Sequence, residues 1–140
     1  MIQRLAVVGL LGLVAACSPG EPPPSGIPVE VPTMTVTDAL ARGPELDGQR
    51  VRIPGTFWSD GQSAFLADLL LKSFPPQASP EAAIVLQGSV PAHVLARLEH
   101  APAGLAPITW GPVEVVGRLH AGPARAAPRL EIELIRFSGA

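Results

Sequence analysis

Cysteine is almost missing from this chain of 140 residues. The single one, Cys17, has no internal partner, so no disulfide can staple the fold, and a lone cysteine in an exported protein needs another reason to be there. Tyrosine is absent, and aromatic residues make up only 4%. Charge of either sign is not in excess: the formal net charge is −2, and from residue 33 onward nine Lys or Arg face ten Asp or Glu. That balance argues against a nucleic-acid partner, because phosphate binding draws most of its affinity from a basic footprint. There is no Gly-rich phosphate loop. No apolar run reaches the roughly 20 helical residues that a bilayer core demands.

What is present begins with a leader. Arg4 supplies a short positive start, and residues 5–14 form an uninterrupted apolar and glycine stretch of about ten residues. A charged start, a 7–15-residue apolar centre and small residues after it describe a secretory signal peptide. It is expected over residues 1–16. Residues 14–17, Val14-Ala15-Ala16-Cys17, resemble the lipobox of bacterial lipoproteins. The resemblance implies a diacylglyceryl thioether on Cys17, cleavage between Ala16 and Cys17, and a further acyl chain such as palmitate on the new N-terminus. Two or three chains anchor a protein stably, at about 0.8 kcal/mol per buried CH₂, where one chain binds only marginally. The expected partner of this part of the chain is therefore a membrane. Ser18 is not the aspartate that favours inner-membrane retention in some diderm bacteria. The expected location is the cell envelope: the outer membrane in a diderm, the cell membrane otherwise.

Residues 17–32 carry the lipidated cysteine and a linker with prolines at 19, 22, 23, 24, 28 and 32. Such composition cannot pack a core. Near polyproline II, at about 3.1 Å per residue, it forms a spacer that reaches some 40–45 Å when fully extended.

Residues 33–140 are expected to fold as one domain. Thr35-Val36-Thr37-Asp38 has capping-box spacing and opens a short helix that Gly43-Pro44 ends. Residues 50–57 alternate as a strand, with Val51 and Ile53 on one face, and Pro54-Gly55 predicts a bulge or bend. Asp60-Gly61 predicts a hairpin turn. Residues 64–71 read either as strand or as helix, with a strand followed by a short helical turn preferred. Residues 73–80 are loop, and 83–87 are a strand. Ser89-Val90-Pro91 opens a helix whose Val90, Val94, Leu95 and Leu98 form a buried stripe. Residues 113–119 and 130–137 are the last strands, with Leu130, Ile132 and Leu134 inward.

Strand, strand, strand, helix, strand, strand is the order of an OB-fold, a five-stranded barrel with a helix between the third and fourth strands. Val51-Arg52-Ile53-Pro54-Gly55 and Val113-Glu114-Val115-Val116-Gly117 echo each other, each ending in a glycine that lets a strand bend as a small barrel closes. Over residues 33–137 the chain resembles small bacterial OB-like lipoprotein domains, a family without a defined activity to carry over. The fold class is therefore expected to be mainly β, a barrel with one helix. A different α+β domain, or an open sheet capped by one helix, is the alternative.

Chemistry-bearing residues are sparse. His93, Arg97 and His100 fall on one face of the expected helix. His93 and His100 would be separated by about 10.5 Å of rise, too far to share one ion, and Arg97 between them would repel a cation. A solvated polar face is the reading adopted, and no metal or cofactor is expected. His120 has no evident partner. Asp60 is occupied by its turn, and Asp68 either faces solvent or caps a turn. No nucleophile with a base stands out, so an enzyme is not expected. Trp58, before the first hairpin turn, and Trp110, before the fourth strand, are the candidate ligand-binding residues. Exposed, they could stack on a sugar or base; buried, which is the favoured reading, they supply core area. The expected function is a non-enzymatic, membrane-anchored binding module for a protein partner or ligand. An oligosaccharide- or nucleic-acid-binding module using Trp58 and the barrel loops is the alternative.

Overall fold

The two echoing segments are strand partners. In the computed structural model, which describes residues 30–122 and 127–139, strand β1 (Arg50–Ser59) runs antiparallel to β5 (Thr109–His120). Val51 lies opposite Gly117 and Gly55 opposite Val113, symmetrically about the pair Ile53 and Val115. Each glycine thus faces the first valine of the other segment. The expected leader, Cys17, most of the linker and part of the loop before residue 128 lie outside the described residues.

Strand β2 (Ala64–Ala67) pairs antiparallel with β1, and β3 (Ala83–Gln87) with β2. Strand β6 (Arg129–Phe137) runs parallel to β3 and antiparallel to β5. The ring β1-β2-β3-β6-β5 returns to β1, so the five strands close into a barrel. A two-residue strand β4 (Glu99–His100) is added on β5. The fold is mainly β and OB-like, as the order of elements implies, and closure removes the exposed edges that so small a sheet would otherwise present.

Alternation sends Val51, Ile53 and Phe57 of β1, Leu66 of β2, Ile84 and Leu86 of β3, and Val113, Val115 and Leu119 of β5 into the barrel. The two ends are plugged. Helix α1 (Val36–Arg42) begins at Thr35, whose Oγ1 accepts from the Asp38 amide at 3.0 Å. It buries Val36 and Ala39 where β2 ends and β3 begins, and Leu46 of the following 3₁₀ turn joins the core. The opposite end is covered by α2 (Ala92–Leu95) through Val94, with Leu98 beyond it.

Five local expectations are corrected. Pro54-Gly55 makes no bulge, and the β1–β5 register passes through it unbroken. The amide and carbonyl of Arg52 bond to Pro32 and Met34, away from β5. Two residues on, Pro54 has the same orientation, so its missing N–H costs the β5 ladder nothing. The register shift lies instead on β6, where Val116 pairs with Leu134 and Gly117 with Ile132, leaving Glu133 extra. A side-chain period of two is broken by that one residue. Leu130 and Ile132 face inward as expected, but Leu134 is 55% exposed and Ile135 replaces it in the core at 3%.

After β2 the chain makes no helical turn. Residues 68–79 form an extended loop closed by an isolated bridge between Leu71 and Gln77. The helix expected through Leu98 is one turn of α-helix, after which Arg97 and Leu98 donate to carbonyls three residues back. The tighter winding still brings Leu98 to the core. Strand β5 begins at Thr109, so Trp110 lies within it rather than before it.

A cleft at the barrel mouth

The hairpin between β1 and β2 forms one rim of a cleft. Asp60 Oδ1 accepts from the amides of Gln62 at 2.8 Å and Ser63 at 2.7 Å, and the Gly61 amide donates to Ser59 Oγ at 3.0 Å. The bond from Ser63, then that from Gln62, holds the Asp60 carboxyl below its ordinary range. Gly61 has φ 94°, a conformation that glycine supplies without strain. The expected turn therefore fixes Gln62 and Ser63 at the opening.

Across the opening stand Val90 and Leu95, and Pro107 and Thr109 close the side. The floor is Phe57 and Leu86, both in the core. His100 ties two walls together: its Nδ1 lies 3.1 Å from Thr109 Oγ1 and its Nε2 3.0 Å from the Leu95 carbonyl. The cleft has a volume of ≈ 550 Å³, within the range typical of small-molecule sites. Its lining combines aliphatic carbon with the hydroxyls of Ser59, Ser63 and Thr109 and the amide of Gln62. Among the described residues, no Asp, Glu, Lys, Arg or His lines it.

Several ionisable groups elsewhere are engaged with one another. Glu114 accepts from Arg136 Nη2 at 2.6 Å and lies 3.7 Å from Arg52 Nε. Arg50 meets Glu133 at 2.6 Å, and His120, which the sequence left without a partner, meets Glu131 at 3.1 Å. These pairs lie on the outer barrel face, where each contributes little stability. Among the described residues no cluster of three or more His, Cys, Asp or Glu is arranged to hold a metal ion. His93, Arg97 and His100 do not share a face: Arg97 stacks on the Phe137 ring at 4.4 Å and His100 belongs to β4.

Asp68 has a task that spacing alone left open. Its carboxylate accepts from the amides of Val36 at 3.0 Å and Thr37 at 2.9 Å and from the Thr37 hydroxyl. It therefore caps helix α1 from the far end of β2, a contact across 32 residues. Burial alone would raise its pKa, but the Thr37 and Val36 bonds outweigh burial and the pKa is lowered.

The tryptophans lie on the outer face of the barrel, away from the cleft lining. Trp58 is 7% exposed and donates from Nε1 to the Pro76 carbonyl at 2.9 Å. It forms a row with Phe65 of β2, 5.7 Å between centroids, and with Trp110 opposite it on β5. Trp110 is half-buried, and the Phe74 ring stands edge-on to it at 6.2 Å. Trp58 is thus buried, as favoured from the sequence. Cys17 lies outside the described residues. The cleft residues Gln62, Ser63 and Thr109 were not singled out in the sequence, because hydroxyls and amides in turns are common and only the barrel brings these three together.

A small OB-like barrel with an uncharged mouth cleft is the class that the fold and the site define. No protein-family model matches the chain, and no curated protein matches it either.

Proposed function

We propose that the protein is an envelope lipoprotein, held to its membrane by acyl chains on Cys17, whose barrel binds a partner protein or ligand at the mouth cleft without catalysing a reaction. The observation that supports binding is the cleft itself. It is large enough for a ligand, its donors and acceptors are neutral, and among the described residues no ionisable side chain lines it. General acid–base or nucleophilic chemistry needs a titratable or activated group at the reacting atoms; the lining hydroxyls of Ser59 and Ser63 have no imidazole beside them, and only Thr109 does, its Oγ1 lying 3.1 Å from His100 Nδ1. A lining without Lys or Arg also gives nucleic-acid phosphates no partner.

The test places a photo-crosslinking residue at Gln62, on the rim, and at Arg129, on the outer face, in the membrane-bound protein. A defined adduct from position 62 that disappears with Ser63→Trp, which fills the mouth, supports the reading. Equal adducts from both positions, or none from position 62, overturn it.

The hydroxyl and amide rim also favours a second reading, a neutral oligosaccharide as the ligand. In that case the sugar occupies the cleft, since Trp58 is covered. Calorimetric titration with neutral glycans, giving binding that Ser63→Trp abolishes and Trp58→Phe leaves intact, separates it from a protein partner.

A further inference from the structure

The loop after β2 contradicts ordinary economy of apolar surface. Leu69 is 84% exposed, Leu71 55% and Phe74 71%. Isolated exposed leucines are unremarkable, but three large apolar side chains exposed within six residues of one loop are the kind of clustering that marks an interaction site. The loop is not loose. Asp68 ties its start to α1, the bridge between Leu71 and Gln77 closes it, Ser73 Oγ donates to the Pro75 carbonyl at 2.9 Å, and Trp58 Nε1 holds Pro76. Its backbone is pinned to the barrel while its apolar side chains point to solvent.

We infer that residues 69–74 are a membrane-docking element, in which Leu69, Leu71 and Phe74 enter the headgroup and acyl boundary of the bilayer. This rests on the lipid-anchor reading given above. Three observations favour a lipid surface as the occupant. First, the chain that leads up from Cys17 meets the barrel at Arg52, which bonds to Pro32, and runs straight into helix α1, whose Val36 and Thr37 amides bond to Asp68, the residue before Leu69. A spacer that extends at most some 40–45 Å keeps this end of the barrel within reach of the bilayer.

Second, the only charge between residues 69 and 80 is Lys72. A single cation among leucines can lay its stem along apolar surface and set its ammonium among lipid phosphates. Third, Phe74 stands edge-on to the half-buried Trp110, and a partly exposed indole suits the boundary between headgroup and hydrocarbon. Lipid chains and loop together would hold the barrel in one orientation.

The test uses the full mature lipoprotein in vesicles of phosphatidylethanolamine and phosphatidylglycerol, with a nitroxide on Ser73→Cys or, as the control, on Gln62→Cys. Accessibility to oxygen and to a water-soluble nickel chelate reports immersion. The expected result is a label at 73 that is shielded from nickel several-fold more than the label at 62. The shielding should be lost when Leu69, Leu71 and Phe74 are all changed to Ser, with an unchanged circular dichroism spectrum. Protein that floats with the vesicles but leaves both labels equally open to nickel overturns the docking and spares the anchor. Protein that does not float, with Cys17 itself taking the label, removes the anchor and the inference together. Shielding with dipolar broadening between labels puts a second copy on the patch and also overturns it.

Discussion

Replacing Gly117 by Ala tests barrel closure at its tightest point. Gly117 is buried on β5 opposite the register shift of β6. A Cβ there would fall inside the contact distance of the Glu131 carbonyl oxygen, with the carbonyl carbon at 3.0 Å and Ile132 Cα at 3.4 Å. All three neighbours are backbone, so no side chain can swing aside. Relief requires β6 to move off β5, where it also pairs with β3. Overpacking of a rigid site costs about 1–3 kcal/mol, and a clash against backbone belongs at the upper end. Alanine recovers roughly 0.4–1 kcal/mol by restricting the unfolded chain, which leaves a net loss of about 2 kcal/mol. For a domain of this size that is on the order of 10 °C in Tm.

Gly55→Ala is the graded comparison. Its Cβ would meet the Ala67 carbonyl at 3.0 Å but otherwise the Leu66 side chain at 3.2 Å, which can shift, so its loss should be about 1 kcal/mol or less. Thermal melts followed by circular dichroism give both values. A Gly117→Ala protein that melts within error of the parent, or above Gly55→Ala, refutes the close approach on which closure at the β5–β6 bulge depends.

Ile135→Ala should cost about 2–5 kcal/mol as a core truncation, while Leu134→Ala should stay within roughly 0.5 kcal/mol as a surface change; denaturant titration showing the reverse order would remove the bulge from β6. Asp68 should make stability pH-dependent: its folded pKa is lowered from 3.8, so its contribution is complete above the unfolded value and is lost as pH falls through the folded one. Asp68→Ala should cost about 1–2 kcal/mol at neutral pH, as the loss of a helix cap does, and should flatten the acid limb of the stability curve; an unchanged acid limb contradicts the cap.

Much of the barrel was legible because its signals are local. Val51 and Ile53, the Asp60-Gly61 turn, Ala83–Gln87 and the capping Thr35 each follow from alternation or from short-range hydrogen bonding. The echo of Val51-x-Ile53-x-Gly55 in Val113-x-Val115-x-Gly117 pointed to closure, and the two segments pair with each other. What could not be read depends on partners far away in sequence. Leu134 continues the β6 alternation perfectly, and only the packing of β6 against Gly117 reveals the extra residue. Asp68 looks like any loop carboxylate until α1 is brought beside it. Pro54 suggests a break unless the direction of the Arg52 amide is known. The cleft is legible last, since its lining residues are individually unremarkable and come from four separate segments.

The claim beneath the functional reading is that acyl chains on one sulfur hold this barrel to its membrane. The intact mass of the protein extracted from the membrane fraction tests it most directly. The account predicts a polypeptide beginning at Cys17 and heavier than its sequence by a diacylglyceryl group and an amide-linked acyl chain. A polypeptide that starts elsewhere, or starts at Cys17 with an unmodified thiol, contradicts it.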